Sequence, residues 1–573
     1  MSRSQPVTQF AYRSNTGLVV SNGPPENAPI TGFSPSSETR SFLYSTDGRY
    51  LAWILDTGIQ VSDANQGTLV QNIDLKNVIE IQFSPRGQFI TTWERYNKTL
   101  DAETNPHKNV TIWDVATGAK LTGFTQKQQN AWKLEWTEDE AYCGIMVTGE
   151  VQFYDTSSFS KGIVSRLKIE NIKDFSISPG KRSVVAVFIP EKNSQPASVR
   201  LYDVHSLAGQ PLAQKTFFRA DSIEFHWNQL GTHILVLART DVDKTGQSYY
   251  GETSLYFLAI AGNYDCRVTL DKPGPIHDVC WSPNSKEFIV VYGIMPAKAT
   301  LFDHRANSMY EFGMAPRNFV KFNAQGRLIC IGGFGNLAGE LDVWDRIGFK
   351  KLTTINATNS SSCQWSPDGR HIMTSTLYKR MKVDNGIKIW HHSGALVYKL
   401  DVKEMHQIGW KPAPPEFFPH RNALSPPPAT QLAAAAPAKP VGVYRPPGAR
   451  GGLGSPSLRR GEDGTLQAVN SARSVPGAST VPGAPSNDGK SHKRKEGFGT
   501  PSPAPSAPAT PKPGAANADL EKRIKNLNKK LKQISEIKTK IAAGEKVELT
   551  QIQKVESEAG LMKELGELMS IAK

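Results

Sequence analysis

The sequence predicts an all-β fold over residues 1–420, a nine-bladed β-propeller, followed by a disordered Pro/Ala/Gly-rich linker and a C-terminal α-helical hairpin. Three observations lead there. One short unit recurs eight times at propeller spacing, the two ends of the array complement each other, and the composition changes after Pro412.

The recurring unit is clearest between Cys363 and Ser393. Trp365 closes a strand, and Ser366-Pro367-Asp368-Gly369 supplies a turn in which proline presets φ and glycine accepts a positive one. A second strand runs from His371 to Thr376. After a basic loop, Gly386-Ile387-Lys388-Ile389-Trp390 alternates apolar and polar residues as a half-buried strand does. Aligning on the residue before the turn gives Tyr44, Phe83, Trp136, Ile177, Trp227, Trp281, Phe322 and Trp365, spaced by 39, 53, 41, 50, 54, 41 and 43 residues. Each anchor is followed by a strand that in six copies ends in Asp: Asp63, Asp114, Asp155, Asp203, Asp303 and Asp345. Phe257 and His391 occupy the equivalent place in the other two. A period of about 40 to 50 residues built from short strands is that of a WD-repeat-like propeller with one four-stranded blade per repeat. The Gly-His dipeptide of regular repeats is missing, so the propeller is divergent. Anchors and aspartates read as architecture, the ring filling a wedge between blades and the carboxylate taking turn amides.

The ends of the array supply the ninth blade. Gly17-Leu18-Val19-Val20-Ser21 resembles a third strand without an anchor before it, and Ile408-Gly409-Trp410-Lys411-Pro412 resembles an anchor without a third strand after it. Strands near 17–33 and near 406–419 are therefore expected to complete one blade and leave no free sheet edge.

Residues 421–516 form the expected linker. The stretch 411–514 holds 21 of the 38 prolines, a composition that buries too little apolar surface to offset ordering entropy. Order is expected again over 517–573. Leu520, Ile524, Leu527, Leu531 and Ile534 fall at a/d spacing, Gly544 is placed to cap, and Thr550-Gln551-Ile552-Gln553 has capping-box form. Two helices joined near Gly544 make a coiled-coil-like hairpin that needs a partner for its apolar stripe.

Charge is uneven. Residues 421–573 carry 24 Lys+Arg against 13 Asp+Glu, and so +11 of the net +14. A basic tail points to a polyanionic partner. The positions expected to contact RNA or the ribosome are Lys493, Arg494 and Lys495 in the linker, Lys522, Arg523, Lys525, Lys529, Lys530 and Lys532 on the first helix, and Lys379, Arg380 and Lys382 in the basic loop of the last complete repeat. The bland alternative for each is solvated charge.

Signs of other chemistry are weak. Five cysteines are scattered without a CxxC pair and read as buried thiols in a reducing compartment. There is no signal-peptide core and no run of about 18 apolar residues, so a cytoplasmic protein with no membrane contact is expected. No G-x-S-x-G occurs, which argues against a hydrolase elbow. His391 and His392 are adjacent, so on one strand they point to opposite faces and do not converge on a metal. Gly333-Phe334-Gly335-Asn336-Leu337-Ala338-Gly339 imitates a phosphate loop, but it lacks Lys-Ser/Thr and leads into a strand. No enzyme, cofactor or metal is expected.

Three stretches carry a family resemblance: GFGNLAGELDVWD at 333–345, VCWSPNSKEFIVVYGIMPAKATLFD at 279–303, and LEKRIKNLNKKLKQISEIKTKIAAGEKVELTQIQKVE at 520–556. They resemble the eukaryotic translation initiation factor 2A family and, in the first two, the propeller subunit of eukaryotic initiation factor 3. That propeller subunit is typically preceded by an RNA-recognition motif, and the residues before the first anchor are too few for one. The resemblance implies a nine-bladed propeller that binds the small (40S) ribosomal subunit. It also implies help in delivering initiator methionyl-tRNA to particular mRNAs, codon-dependently and without GTP. A monomer with other initiation factors among its partners is expected. The alternative from another class is a protein-interaction scaffold whose tail is a spacer.

Overall fold

Each of the eight anchors is the last residue of the first strand of a four-stranded antiparallel sheet. The inner strands are Ser41–Tyr44, Val78–Phe83, Glu135–Trp136, Asp174–Ile177, Ser222–Trp227, Ile276–Trp281, Phe319–Phe322 and Ser362–Trp365. The structure, a computed structural model, describes residues 7–33, 38–100, 106–192, 194–240 and 251–429, with positions 459–460, 466–467, 534–535, 538, 558 and 562 beyond them. Among the described residues these sheets, blades 1 to 8, and a ninth composite sheet make a nine-bladed propeller.

The ninth blade has three strands. Gln407–Trp410 pairs with Gln9–Ser14, which pairs with Gly17–Asn22. The central strand Gln9–Ser14 lies before the segment in which closing strands were expected. Its FAYR sequence has no anchor and turn to announce it, and it becomes a strand by having a partner on both sides. In place of a fourth strand there is one bridge, Ser21 to Pro29.

Packing follows from the pleat. Alternate side chains of one blade meet those of the next, and a separate apolar cluster fills each wedge around the ring. Phe42, Leu51 and Trp53 of blade 1 pack on Ala11, Leu18 and Val20 of blade 9, and Met373, Ile387 and Ile389 of blade 8 pack on Phe10, Ile408 and Trp410 from the other side.

Polar side chains stitch the inner strands together. Trp281 Nε1 donates to the His226 carbonyl at 2.8 Å and Trp365 Nε1 to the Lys321 carbonyl at 3.3 Å, each on the preceding blade. The strand-end aspartates accept turn amides as expected: Asp63 from Asn65 and Gln66, Asp114 from Thr117, Asp345 from Ile347. A further position, not singled out from the sequence, is the Ser, Thr or Asn that follows each anchor. Ser45, Ser84, Thr137, Asn228, Asn323 and Ser366 are buried, and each side-chain oxygen accepts the amide that reopens the second strand.

Residues 1–443 and 444–573 form separate units. In the first, residues 412–429 run along the propeller, so the opening of the expected linker, 421–429, is ordered by hydrogen bonds described below. In the second, Arg459–Arg460 pairs with Leu466–Gln467 inside the stretch expected to lack structure. Ile534, Ser535, Lys538, Glu558 and Met562 are helical, Ile534 is buried, and Lys538 pairs with Glu558 across the expected hairpin. The remainder of the hairpin lies outside the described residues.

Candidate nucleic-acid interface

An antiparallel meander sends its connections to opposite ends of the ring. Turns between first and second strands, and between third and fourth, lie on one face, here called the turn face. Connections between second and third strands, and from blade to blade, lie on the other, the loop face.

The loop of blade 8, between His371–Thr376 and Gly386–His391, is on the loop face and carries Lys379, Arg380 and Lys382. All three are exposed. The backbone beneath them is held: Arg380 and Met381 amides donate to the Leu377 carbonyl at 3.0 and 3.1 Å, buried Asn385 donates to the Met381 carbonyl at 2.7 Å, and the Tyr378 amide reaches the Met405 carbonyl at 2.7 Å. The guanidinium of Arg380 lies over Gly335 of blade 7. A Cβ there would sit 2.6 Å from Nη2, and the residue has φ +78°, so glycine is what lets the cation approach. Among the described residues none of the three cations forms an ion pair, and Asp384 is the one acid in the loop. Three unpaired cations on a fixed loop suit a phosphate backbone.

The glycine-rich loop beside it has no phosphate-binding role in its geometry. Gly339 N donates to Gly333 O at 2.9 Å, Phe334 is pinned to Asn318 through its amide at 2.9 Å, and the chain continues into Glu340–Asp345, a strand. On the same face, blade 6 presents Ile294, Met295 and Met314, which are 61%, 38% and 62% exposed. Sequence reading passed over these three, although Gly-Ile-Met-Pro between two strand patterns is an apolar loop with no intramolecular reason to be apolar. The other predicted contact residues, Lys493, Arg494, Lys495, Lys522, Arg523, Lys525, Lys529, Lys530 and Lys532, lie outside the described residues.

Groups with displaced titration are part of the architecture. Burial pushes the Glu135 and Asp278 carboxyls upward, yet each is an inter-blade tie. Glu135 accepts from the Ile177 amide at 3.0 Å and Asp278 from the Val320 amide at 2.9 Å. Among the described residues no group of three His, Cys, Asp or Glu is placed to hold a metal.

One expectation is overturned on the turn face. His391 ends its strand and His392 lies past it in the turn, so the alternation of a strand does not separate them. Their ring centroids are 4.0 Å apart, and both Nε2 atoms reach Ser425 Oγ, at 2.9 and 3.0 Å.

Two family models match the chain: Eukaryotic translation initiation factor eIF2A over residues 215–408, and Eukaryotic translation initiation factor 2A C-terminal domain over 522–568. The chain is 42% identical over 578 residues to eukaryotic translation initiation factor 2A of Schizosaccharomyces pombe, covering 97% of this chain and 98% of the relative. It is 26% identical over 392 residues to a subunit of eukaryotic translation initiation factor 3 from Xenopus laevis, covering 65% and 54%. A solved structure described as the crystal structure of the eukaryotic initiation factor superposes with a TM-score of 0.67 at 41% identity, covering 72% of this chain and 100% of that one.

Proposed function

Because the chain belongs to the eukaryotic translation initiation factor 2A family, we propose that this translation initiation factor is non-enzymatic and binds the small ribosomal subunit. On this reading it promotes codon-dependent, GTP-independent delivery of initiator methionyl-tRNA to particular mRNAs in the cytoplasm. It acts as a monomer, alongside other initiation factors. The observation that supports the reading best is the fixed loop bearing Lys379, Arg380 and Lys382, exposed and without acidic partners among the described residues, on one face of a rigid ring. The basic tail, with Lys493, Arg494, Lys495 and the lysines from Lys522 onward, is a second polyanion contact. Linking the two raises their effective concentration.

A second reading has its own observation. Ile294, Met295 and Met314 on the same face favour a protein contact, which is the scaffold alternative. One experiment tests both. Full-length protein carrying Lys379→Glu, Arg380→Glu and Lys382→Glu is titrated onto purified small ribosomal subunits at several salt concentrations. RNA contact predicts weaker binding and a log–log salt slope shallower by about 0.7–0.9 for each phosphate no longer neutralised. Unchanged affinity and slope reject the loop as an RNA contact. If Ile294→Asp with Met314→Asp weakens binding while the salt slope stays fixed, the scaffold reading takes its place.

A further inference from the structure

After the last propeller strand ends at Trp410, the chain does not leave the propeller. It turns across the turn face and runs backward over blades already built. Pro412 passes over Gly48 of blade 1, where a Cβ would lie 2.0 Å from the Pro412 carbonyl oxygen. Farther along, Gln325 Nε2 of blade 7 donates to the Phe418 carbonyl at 3.0 Å, and Arg327 Nη1 donates to the Arg421 and Asn422 carbonyls at 3.2 and 2.5 Å. The strap ends on Ser425, with Pro426, Pro427 and Pro428 behind it.

The bonding at Ser425 has a direction. His391 Nδ1 accepts from the Ser393 amide at 3.3 Å and faces the Ser393 hydroxyl at 2.8 Å, so the ring proton is on Nε2 and is donated to Ser425 Oγ. The Ser425 hydroxyl proton is then free for His392 Nε2 at 3.0 Å, an assignment that puts the proton of that ring on Nδ1, which among the described residues is buried without a hydrogen-bond partner. Two neutral imidazoles thus hold one hydroxyl as donor and acceptor at once. Beside it is a cavity of about 780 Å³ under the strap, lined by Ser425, His391, His392, Arg327 and Arg370 among others. The carboxylates nearby are already engaged: Asp345 pairs with Arg327 at 3.1 Å, and Asp368 faces His371 at 3.3 Å and takes the Arg370 amide at 3.0 Å. Arg370 and Arg421, which also lines the cavity, make no ion pair among the described residues.

We propose that Ser425 is a phosphoacceptor for a proline-directed protein kinase, and that His391, His392 and Arg370 form the receptor for the phosphate and pin the strap closed. The Ser-Pro sequence satisfies such a kinase, and the strap is a surface segment that presents the hydroxyl when it lifts. In the step, a nucleoside triphosphate gives up its terminal phosphoryl group. The bond from Pγ to the bridging oxygen breaks, the bond from Ser425 Oγ to Pγ forms, the hydroxyl proton passes to the kinase's base, and the nucleoside diphosphate leaves. The modified side chain then has no proton for His392 and brings roughly −1.5 to −2 charges. A proton taken up from solvent at His392 Nε2 makes that imidazole a donor, so both rings donate to phosphate oxygens in place of one neutral relay. Charge-assisted bonds of this kind are about twice as strong as neutral ones, and the cavity supplies the room.

The test uses the full chain. The purified protein is incubated with a proline-directed kinase and Mg-ATP, the sites are mapped by mass spectrometry, and hydrogen exchange of peptides spanning 412–429 is followed before and after. The expected result is phosphate on Ser425 and exchange in the strap slowed about tenfold or more. In His391→Asn/His392→Asn the site is modified at least as fast and the protection does not increase. The proposal is overturned if Thr500, Ser502 and Thr510 are modified while Ser425 is not, or if the phosphorylated strap exchanges as fast as the unmodified one or faster.

Discussion

At the scale of single residues, the decisive side chains are those that cannot be satisfied within their own blade. Glu287 of blade 6 is 3% exposed, and its two oxygens accept from Arg346 of blade 7 at 2.7 and 2.6 Å. A bidentate guanidinium–carboxylate pair of this geometry is strong, and removing one partner strands the other charge away from water. Arg346→Ala is therefore expected to cost about 3 kcal/mol in chemical denaturation, while Arg346→Met with Glu287→Leu recovers most of the loss. A loss below about 1 kcal/mol for the single variant would place the pair with ordinary surface ion pairs. Such pairs were not legible in the sequence. Glu287 and Arg346 stand in different repeats, and neither residue type recurs at the equivalent position of the other repeats. The anchors, written eight times around the ring, and the strand-end aspartates, written six times, were legible because they repeat.

At the scale of elements, short repeated turns were readable and unique contacts were not. Ser366-Pro367-Asp368-Gly369 announces itself through proline and glycine. The strand Gln9–Ser14 and the strap over 412–429 do not, because each is ordered by residues hundreds of positions away or by loops of other blades. His391 and His392 illustrate the difference: strand alternation would have separated them, and a turn one residue early brings both onto Ser425. The strap has a pH dependence of defined sign. Burial, reinforced by His392 and His371, holds His391 down at about 3, and burial with His371 and Arg327 lowers His392, opposed in part by Asp368 and Asp345. The closed strap binds fewer protons than an open one in which the rings regain water, since burial is the first cause of the lowering and an imidazole free in water titrates near 6.5. Closure is thus fully favoured above that value and weakens as pH falls below it. Hydrogen exchange of 412–429, corrected for intrinsic rate, is expected to be unchanged from pH 8 to 7 and to accelerate from pH 6.5 toward 5. His391→Asn/His392→Asn should flatten that profile, and a flat wild-type profile would exclude the two rings as the latch.

At the scale of the whole molecule, the loop-face contact proposed above depends on a ring that closes. Rigid presentation of Lys379, Arg380 and Lys382 requires blade 8 to be held on both sides, and one of those sides is the composite blade. Its closure joins positions 365 residues apart, as when Gln407 Nε2 donates to the Phe42 carbonyl at 2.6 Å. The entropy of closing so long a loop rises only logarithmically with length, by about 0.6 kcal/mol per doubling. Burial at the seam outweighs it: Phe10 is fully buried, meets Trp410 edge-on at 5.5 Å, and joins Met373, Ile387 and Ile389 of blade 8. The seam has three strands where the other blades have four, so opening is expected to begin there. Phe10→Ala is expected to cost about 3–5 kcal/mol, as Phe188→Ala should in the unbroken part of the ring. The two are distinguished by exchange. The seam variant should speed exchange first in 9–22 and 407–410 and, on the function proposed above, weaken binding to the small ribosomal subunit through the adjacent basic loop. The mid-ring variant should leave both unchanged at temperatures where it is still folded. Equal exchange at the seam in the two variants would mean that the ring opens as a unit and that closure is no weaker at its ends than between any other pair of blades.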